Sequence, residues 1–130
     1  MRCIDTDFLV AVLQGKKEAQ NRMEELDQEG RQATTSVSAF ELFYGAHKSE
    51  ESKNNLEKTS AFLGRMDILP LDLGSSDKAG KILADLAKEG GVIDFRDALI
   101  AGISLSNSLP VMTRNKDHFS RIKGLKVESW

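Results

Sequence analysis

The amino-acid sequence predicts an α/β fold in which helices flank a mainly parallel sheet. Two observations support this prediction: short apolar strand candidates alternate with helical segments, and no linker, repeat or change of composition divides the chain. The chain has 130 residues, of which 40% are hydrophobic and 29% charged. That length is enough to bury a core without disulfides, so we expect one domain over residues 1–130.

The composition argues against several classes of protein. The longest uninterrupted apolar run has six residues, at 8–13, far below the roughly 20 that span a bilayer. Acids among the first residues do not fit a signal peptide, and a single cysteine, Cys3, excludes an internal disulfide and a cysteine-rich zinc site. We therefore expect a soluble cytoplasmic protein, and its net charge of −2 gives no overall attraction to nucleic acid.

The first half of the chain predicts two strands and four helices. The helix over 16–29 is amphipathic, with Ala19, Met23 and Leu26 spaced by four and three residues, and Gly30 follows it. The helix over 8–13 is apolar, and Gly15 can end it. The strand candidates are 1–4 and 32–35, and the remaining helices are 36–46 and 49–63.

The second half predicts three strands and two helices. The helix over 76–89 has the clearest apolar stripe of the sequence, and Gly90 and Gly91 close it. The helix over 94–106 is apolar on nearly all sides, which predicts a central and buried position. The strand candidates are 67–71, 109–113 and 125–127. In such a layered fold, functional loops lie at the carboxyl ends of the strands.

Acids that interrupt apolar segments are the candidates for chemistry. Asp5 lies directly after the first strand and before a helix, where a helix cap and a functional carboxylate are compatible roles. Glu41 lies among bulky apolar residues. A capping box with Ser38 is the structural alternative, but the helix pattern begins at 36 or earlier, which favours a functional role for Glu41.

Two further acids open the buried helix. Asp94 and Asp97 are three residues apart and share one face, so one of them can cap the helix and the other is free for another role. Asp97 leads directly into the apolar run, where a carboxylate needs a cation or hydrogen-bond donors. Asp117 follows the fourth strand, and alone it is typical of a turn or a cap.

Acids gathered from separate segments suit a hard divalent cation such as Mg²⁺ or Mn²⁺, which takes oxygen ligands and substrate phosphates. The two histidines, His47 and His118, do not lie in the context of a catalytic nucleophile, and no glycine loop for phosphate follows a strand. Between 114 and 126 there are five basic residues against one acid. An ordinary solvated surface is the alternative to a phosphate-binding role for them.

Five segments resemble the PIN domain, and more closely the VapC-type ribonuclease toxins of prokaryotic toxin–antitoxin pairs. The segments follow one another in order over essentially the whole chain: IDTDFL at 4–9, SVSAFELFYGA at 36–46, DFRDALIA at 94–101, TRNKDHF at 113–119 and GLKVESW at 124–130. The resemblance implies a PIN domain over residues 1–130, with an α/β/α sandwich and metal-dependent hydrolysis of RNA.

The resemblance also implies the site. By position, the acids of the family fall on Asp5, Glu41 and Asp97, of which Asp5 and Asp97 would hold Mg²⁺ or Mn²⁺. Asp94 matches an additional acid. The fourth acid of the family corresponds to Asn115 or to the nearby Asp117. The other candidates are Thr6, which can contact the phosphate or orient an acid, and the cations Arg114, Lys116 and Arg121, which can contact the RNA backbone.

The implied partners are an RNA substrate, a cognate antitoxin protein and a second copy of the chain. We expect Leu56, Phe62 and Leu63 to contribute an exposed apolar patch to such contacts. Two alternatives stay open at this level. One is a receiver-like or aspartyl-phosphate domain, because an Asp-x-Asp at a strand end also suits that chemistry. The other is an inactive PIN-like binding scaffold.

Overall fold

The computed structural model describes residues 1–130 and has five strands and seven helices. The strands are β1 (Cys3–Ile4), β2 (Ala33–Thr35), β3 (Asp67–Leu69), β4 (Val111–Met112) and β5 (Val127–Glu128). The helices are α1 (Thr6–Leu13), α2 (Lys17–Glu29), α3 (Ser36–Lys48), α4 (Ser52–Leu63), α5 (Leu73–Lys88), α6 (Phe95–Ser106) and α7 (Lys116–Phe119). The predicted α/β fold is confirmed. None of the helices is both long and apolar enough to cross a membrane.

All five strands are parallel and lie in the order β3-β2-β1-β4-β5. β1 is central, with Cys3 paired to Ala33 on one side and to Val111 on the other. Backbone hydrogen bonds continue past the strand ends, as from the Asp5 amide to the Met112 carbonyl at 3.0 Å. Because the strands run in one direction, the residues that follow them meet at the same edge of the sheet.

The core has two apolar clusters. Side chains alternate along a strand, so Met112 belongs to one cluster and its neighbour Val111 to the other. Helices α1 to α4 contribute to the first cluster with Phe8, Leu9, Met23, Leu26, Leu42, Phe62 and Leu63. Helices α5 to α7 contribute to the second with Leu86, Ala98, Ile100, Ala101 and Phe119. Helix α6 is central and buried, as predicted.

Hydrogen bonds at the helix starts correct two details of the sequence analysis. The N-cap of α3 is Thr35, whose hydroxyl accepts from the Ser38 amide at 3.0 Å, so the Ser38–Glu41 capping box does not form. Helix α5 begins at Leu73 rather than at 76, because Asp72 and Ser75 cap its start reciprocally.

The predicted apolar patch on α4 is wrong. Phe62 and Leu63 are buried in the first cluster, and Leu56 is half-buried. The apolar side of α4 packs against α3 and the core, which is the usual outcome for an amphipathic stripe. Helix α7 was also missed, because its four residues are mostly charged and only Phe119 is buried.

Candidate functional site

Asp5 lies at the carboxyl end of the central strand β1 and is 3% exposed. It is the N-cap of α1, since its Oδ1 accepts from the Thr6 amide at 2.8 Å. Its Oδ2 accepts from the hydroxyl of Thr113, which follows β4, at 2.7 Å. Asp5 is therefore both the cap of α1 and a buried carboxylate, and each of its two oxygens accepts a hydrogen bond from a neighbouring residue.

The charge of Asp5 is poorly compensated within the protein. The pKa of its carboxyl is raised to about 7, mainly by burial and in smaller part by the charges of Asp7 and Asp97, although the hydrogen bonds from Thr113 and Thr6 lower it. Asp5 forms no ion pair with a basic side chain. A buried carboxylate without a cationic partner is suited to bind a metal ion.

Asp97 is half-buried in the first turn of α6. Its Oδ2 lies 3.3 Å from Nδ1 of His118, which is presented by α7. Burial raises the pKa of the Asp97 carboxyl, while contact with His118 lowers it. His118 lies shortly after β4, and Thr113, which also follows β4, contacts Asp5, so Asp97 faces the edge of the sheet at which β1 and β4 end.

Glu41 is half-buried on α3 and reaches the site through Thr6. The Thr6 hydroxyl donates to Oε1 of Glu41 at 3.1 Å and lies 2.9 Å from the hydroxyl of the buried Ser38. This contact places Thr6 between the end of β1 and α3, so it orients an acid of the site.

Asp94 is exposed and is engaged by Arg96. It is the N-cap of α6, accepting from the Arg96 amide at 2.8 Å, and the Arg96 guanidinium contacts its Oδ2 at 2.9 Å. These bonds lower the pKa of the Asp94 carboxyl to about 2. Arg96 also lies 3.8 Å from Oε2 of Glu41, so it links α6 to α3 at the rim of the site.

The two candidates for the fourth acid differ in their connection to Asp5. The backbone amide of Asn115 donates to Oγ1 of Thr113 at 2.9 Å, and the same Thr113 hydroxyl donates to the Asp5 carboxylate. Asp117 is exposed in the first turn of α7 and makes no side-chain hydrogen bond or ion pair. The structure therefore links the backbone of Asn115, and not the side chain of Asp117, to the buried acid.

The three predicted RNA-backbone cations have different surroundings. Arg114 lies beside the site: its amide donates to Asp7 at 3.2 Å, and its guanidinium stacks 3.8 Å from the centre of the Trp130 ring. Lys116 is exposed on α7. Arg121 contacts none of the acids, and its Nη2 donates to the Val92 carbonyl at 3.0 Å, in the segment before α6.

As the side chains stand, no three carboxylate, imidazole or thiolate groups converge closely enough to hold an ion together. The available donors near Asp5 are nevertheless oxygens, which are the ligands of Mg²⁺ and Mn²⁺. Mg²⁺ commonly uses one or two carboxylates and completes its sphere with waters and phosphates.

Sequence reasoning missed several residues of this site. Thr113 directly follows an apolar strand, as Asp5 does, and that shared position was the available signal. Ser38 and Arg96 lie within the segments that resemble the PIN domain, but their contacts depend on packing between helices. The sequence gives His118 no role, because nothing in its own segment points to Asp97, which is 21 residues away.

Comparison with known proteins decides the family. The PIN domain family matches residues 2–125. The chain belongs to the PIN-domain family. The tRNA(fMet)-specific endonuclease VapC of Shigella flexneri is 33% identical to this PIN chain over 127 residues, which cover 98% of the chain and 96% of that protein. Ribonuclease VapC2 of Haemophilus influenzae is 30% identical, with the same coverage. Within the PIN family, the chain therefore belongs to the VapC ribonucleases, and the predicted resemblance is confirmed.

Solved structures agree with this assignment. The VapC-type chain is similar to a chain of DNA-bound VapBC from Salmonella typhimurium, with a TM-score of 0.89, 32% identity and coverage of 100% and 99% of the two chains. VapBC2 from Rickettsia felis, bound to a DNA fragment from its promoter, gives a TM-score of 0.90 at 27% identity, with 99% and 98% coverage. A receiver-like or aspartyl-phosphate domain is not supported by these likenesses.

Proposed function

We propose that this VapC-type chain hydrolyses RNA phosphodiester bonds with Mg²⁺ or Mn²⁺ held at the carboxyl edge of the sheet. Asp5 and Asp97 are the proposed metal ligands, and Glu41 is the third catalytic acid. The observation that carries the proposal is Asp5, a buried carboxylate with a raised pKa and no cationic partner. The likeness to VapC ribonucleases supports the same reaction.

A bound divalent ion would lower the pKa of a coordinated water and stabilise negative charge on the phosphate oxygens. The residues of the chain supply the rest of the site. Thr113 and the Thr6 amide fix the two oxygens of Asp5, and the Thr6 hydroxyl holds Glu41 toward the same edge. Since the acids occupy separate elements and share this edge, substrate phosphates can complete the coordination that three side chains alone do not provide.

The proposal is tested by incubating the purified protein with a pool of structured cellular RNAs. We expect cleavage with Mg²⁺ or Mn²⁺ and none in excess chelator. Asp97→Asn should remain folded and lose cleavage, because an amide is a weaker ligand and carries no charge. Cleavage that persists in chelator would contradict the proposal, and a wild-type protein that binds no divalent ion and cuts no RNA would favour an inactive scaffold.

We also propose that the chain is the toxin of a toxin–antitoxin pair in the cytoplasm, where it meets cellular RNA. The support is that the similar structures of Salmonella typhimurium and Rickettsia felis are VapBC assemblies. Co-expression with the product of the neighbouring reading frame should yield a complex that does not cleave RNA. An active toxin that co-purifies with no such product would count against this part.

A second copy of the chain is the proposed occupant of an exposed apolar patch. On α3, Phe40 and Tyr44 stack with ring centres 6.3 Å apart and are 63% and 58% exposed. Both rings lie at helical spacing from Ser36, at the start of the same helix. The Ser36 hydroxyl accepts from the Leu71 amide at 3.1 Å, which brings the segment before α5 next to α3. Leu73, two residues further on, is 89% exposed. An apolar patch can pair with the same patch of a second copy. We name Phe40, Tyr44, Leu71 and Leu73 the α3 patch.

A further inference from the structure

A groove of about 580 Å³ lies between α5 and the segment that follows α7, separate from the candidate site. Its floor is apolar and its rim is charged. The floor consists of Ile82, Leu86, Leu105 and Ile122, and the rim of Lys78, Lys81, Asp85, Lys88, Glu89, Arg121 and Lys123. We call this feature the α5 groove. None of its residues belongs to the proposed catalytic set.

The rim of the α5 groove is basic although the chain is acidic. It carries five cations and two acids, whereas the whole chain has a net charge of −2. Lys81 is paired with Asp85 at 2.8 Å, but Lys78, Lys88 and Lys123 form no ion pair. The five cations line the same groove as Asp85, whose pKa is lowered by its contact with Lys81 and by the charges of Lys88 and Lys123. The groove is thus a local positive region on a negative protein.

The α5 groove adjoins the candidate site at one end. Arg121 lies three residues after His118, whose ring contacts Asp97. Its guanidinium donates to the Val92 carbonyl at 3.0 Å, in the segment that leads into Asp94 and α6. A strand of RNA leaving the carboxylates along α7 would therefore meet Arg121 and then the lysines of the rim.

We propose that the α5 groove binds backbone phosphates of the RNA substrate outside the cleavage site. This inference rests on the proposed function. The catalytic carboxylates repel RNA, so binding requires cations elsewhere on the protein, and the unpaired lysines at the rim of this groove can supply them. Phosphate contacts of this kind position an RNA without reading its sequence. An acidic protein segment is the competing occupant.

The experiment measures binding of a fluorescein-labelled RNA stem–loop in chelator, so that the readout does not depend on cleavage. We expect Lys88→Ala/Lys123→Ala to weaken binding about tenfold at low salt. The slope of log K against log salt should decrease in magnitude by about 1.5, since each phosphate contact contributes about 0.7–0.9. The matched control is Lys17→Ala/Lys53→Ala, which removes the same charge from two exposed lysines outside the groove.

The proposal is overturned if the groove variant binds RNA as well as the control variant does. It is also overturned if the wild type binds no RNA. In the first case an acidic protein segment becomes the occupant to test. Cleavage with Mg²⁺ is measured separately, and at saturating RNA the groove variant should keep the wild-type rate. If only the groove variant loses RNA binding but the wild type cuts no RNA, the role of the α5 groove in binding is supported and the proposed function is contradicted.

Discussion

The hydroxyl of Thr113 donates a 2.7 Å hydrogen bond to Oδ2 of Asp5 and thereby joins the carboxyl ends of β4 and β1. The other oxygen of Asp5 caps α1. Both oxygens of the buried carboxylate are consequently oriented by groups on separate elements. Such support fixes a ligand in one rotamer before an ion binds, which is how neighbouring groups raise metal affinity.

Thr113→Val should weaken binding of Mn²⁺ to the protein by about 10- to 100-fold, because it removes the donor that holds Asp5. The pKa of Asp5 should rise further, since the hydrogen bond that lowers it is lost. Calorimetric titration with Mn²⁺ measures the affinity. The matched control is Thr34→Val, since Thr34 is also fully buried and its hydroxyl donates to the Ile4 carbonyl at 2.7 Å. It should reduce stability and leave Mn²⁺ affinity unchanged; equal affinities for both variants would contradict the role of Thr113.

The metal-free protein should lose stability as pH rises. The pKa of Asp5 is raised from 3.8 to about 7 in the folded state. The unfolded chain therefore releases the proton first, and the free energy of unfolding falls between about pH 4 and about pH 7 and then levels off. The loss from this group is at most about 4 kcal/mol. Urea unfolding in chelator at several pH values measures it.

Asp5→Asn should flatten this pH profile and raise the melting temperature of the metal-free protein above about pH 7. Asparagine retains a side-chain oxygen for the Thr6 amide, so the cap of α1 is kept. The variant should also lose RNA cleavage. If its pH profile superimposes on that of the wild type, Asp5 does not carry the raised pKa.

Gly102→Ala should destabilise the fold by about 1–3 kcal/mol, because α6 crosses α5 closely at this residue. A Cβ on Gly102 would lie 2.6 Å from the Ser75 carbonyl oxygen and 2.9 Å from the Ala79 amide nitrogen. Gly80→Ala on α5 is the control, since nothing lies within 4 Å of the added atom. It should stabilise the helix by about 0.5–1 kcal/mol. Thermal unfolding of both variants decides the point, and a neutral Gly102→Ala would refute the close crossing.

Leu73→Asp should shift the protein from dimer to monomer, because it places a charge in the α3 patch of both copies. Sedimentation at micromolar concentration measures the shift. Val92→Asp is the control: Val92 is 86% exposed but lies beyond the far end of α5, a helix about 24 Å long. A wild type that sediments as a 14.4 kDa species would contradict the proposed dimer.

The fold and the buried acids could be predicted from local pattern. Strand–helix alternation gave the parallel sheet, and the charge of Asp97 before an apolar run marked the start of α6. Contacts between distant segments could not be predicted in this way. The pairing of His118 with Asp97 and of Thr113 with Asp5 arises from sheet order, which no single segment encodes.

The wrong prediction of an apolar patch on α4 has a related physical reason. Phe62 and Leu63 on a polar helix resemble an exposed patch, but they form the core face of α4. Phe40 and Tyr44 on α3 are exposed instead. Periodicity identifies an apolar face without showing which partner covers it.

Because the core has two apolar clusters, the candidate site depends on the folding of both sides of the sheet. Asp5 caps a helix that packs in the first cluster, whereas Asp97 opens a helix that packs in the second. The two acids keep their spacing only while both layers are docked on the sheet. On the proposed ligand set, a molecule in which either layer is unfolded should therefore not hold the ion, and RNA cleavage should begin only after folding is complete.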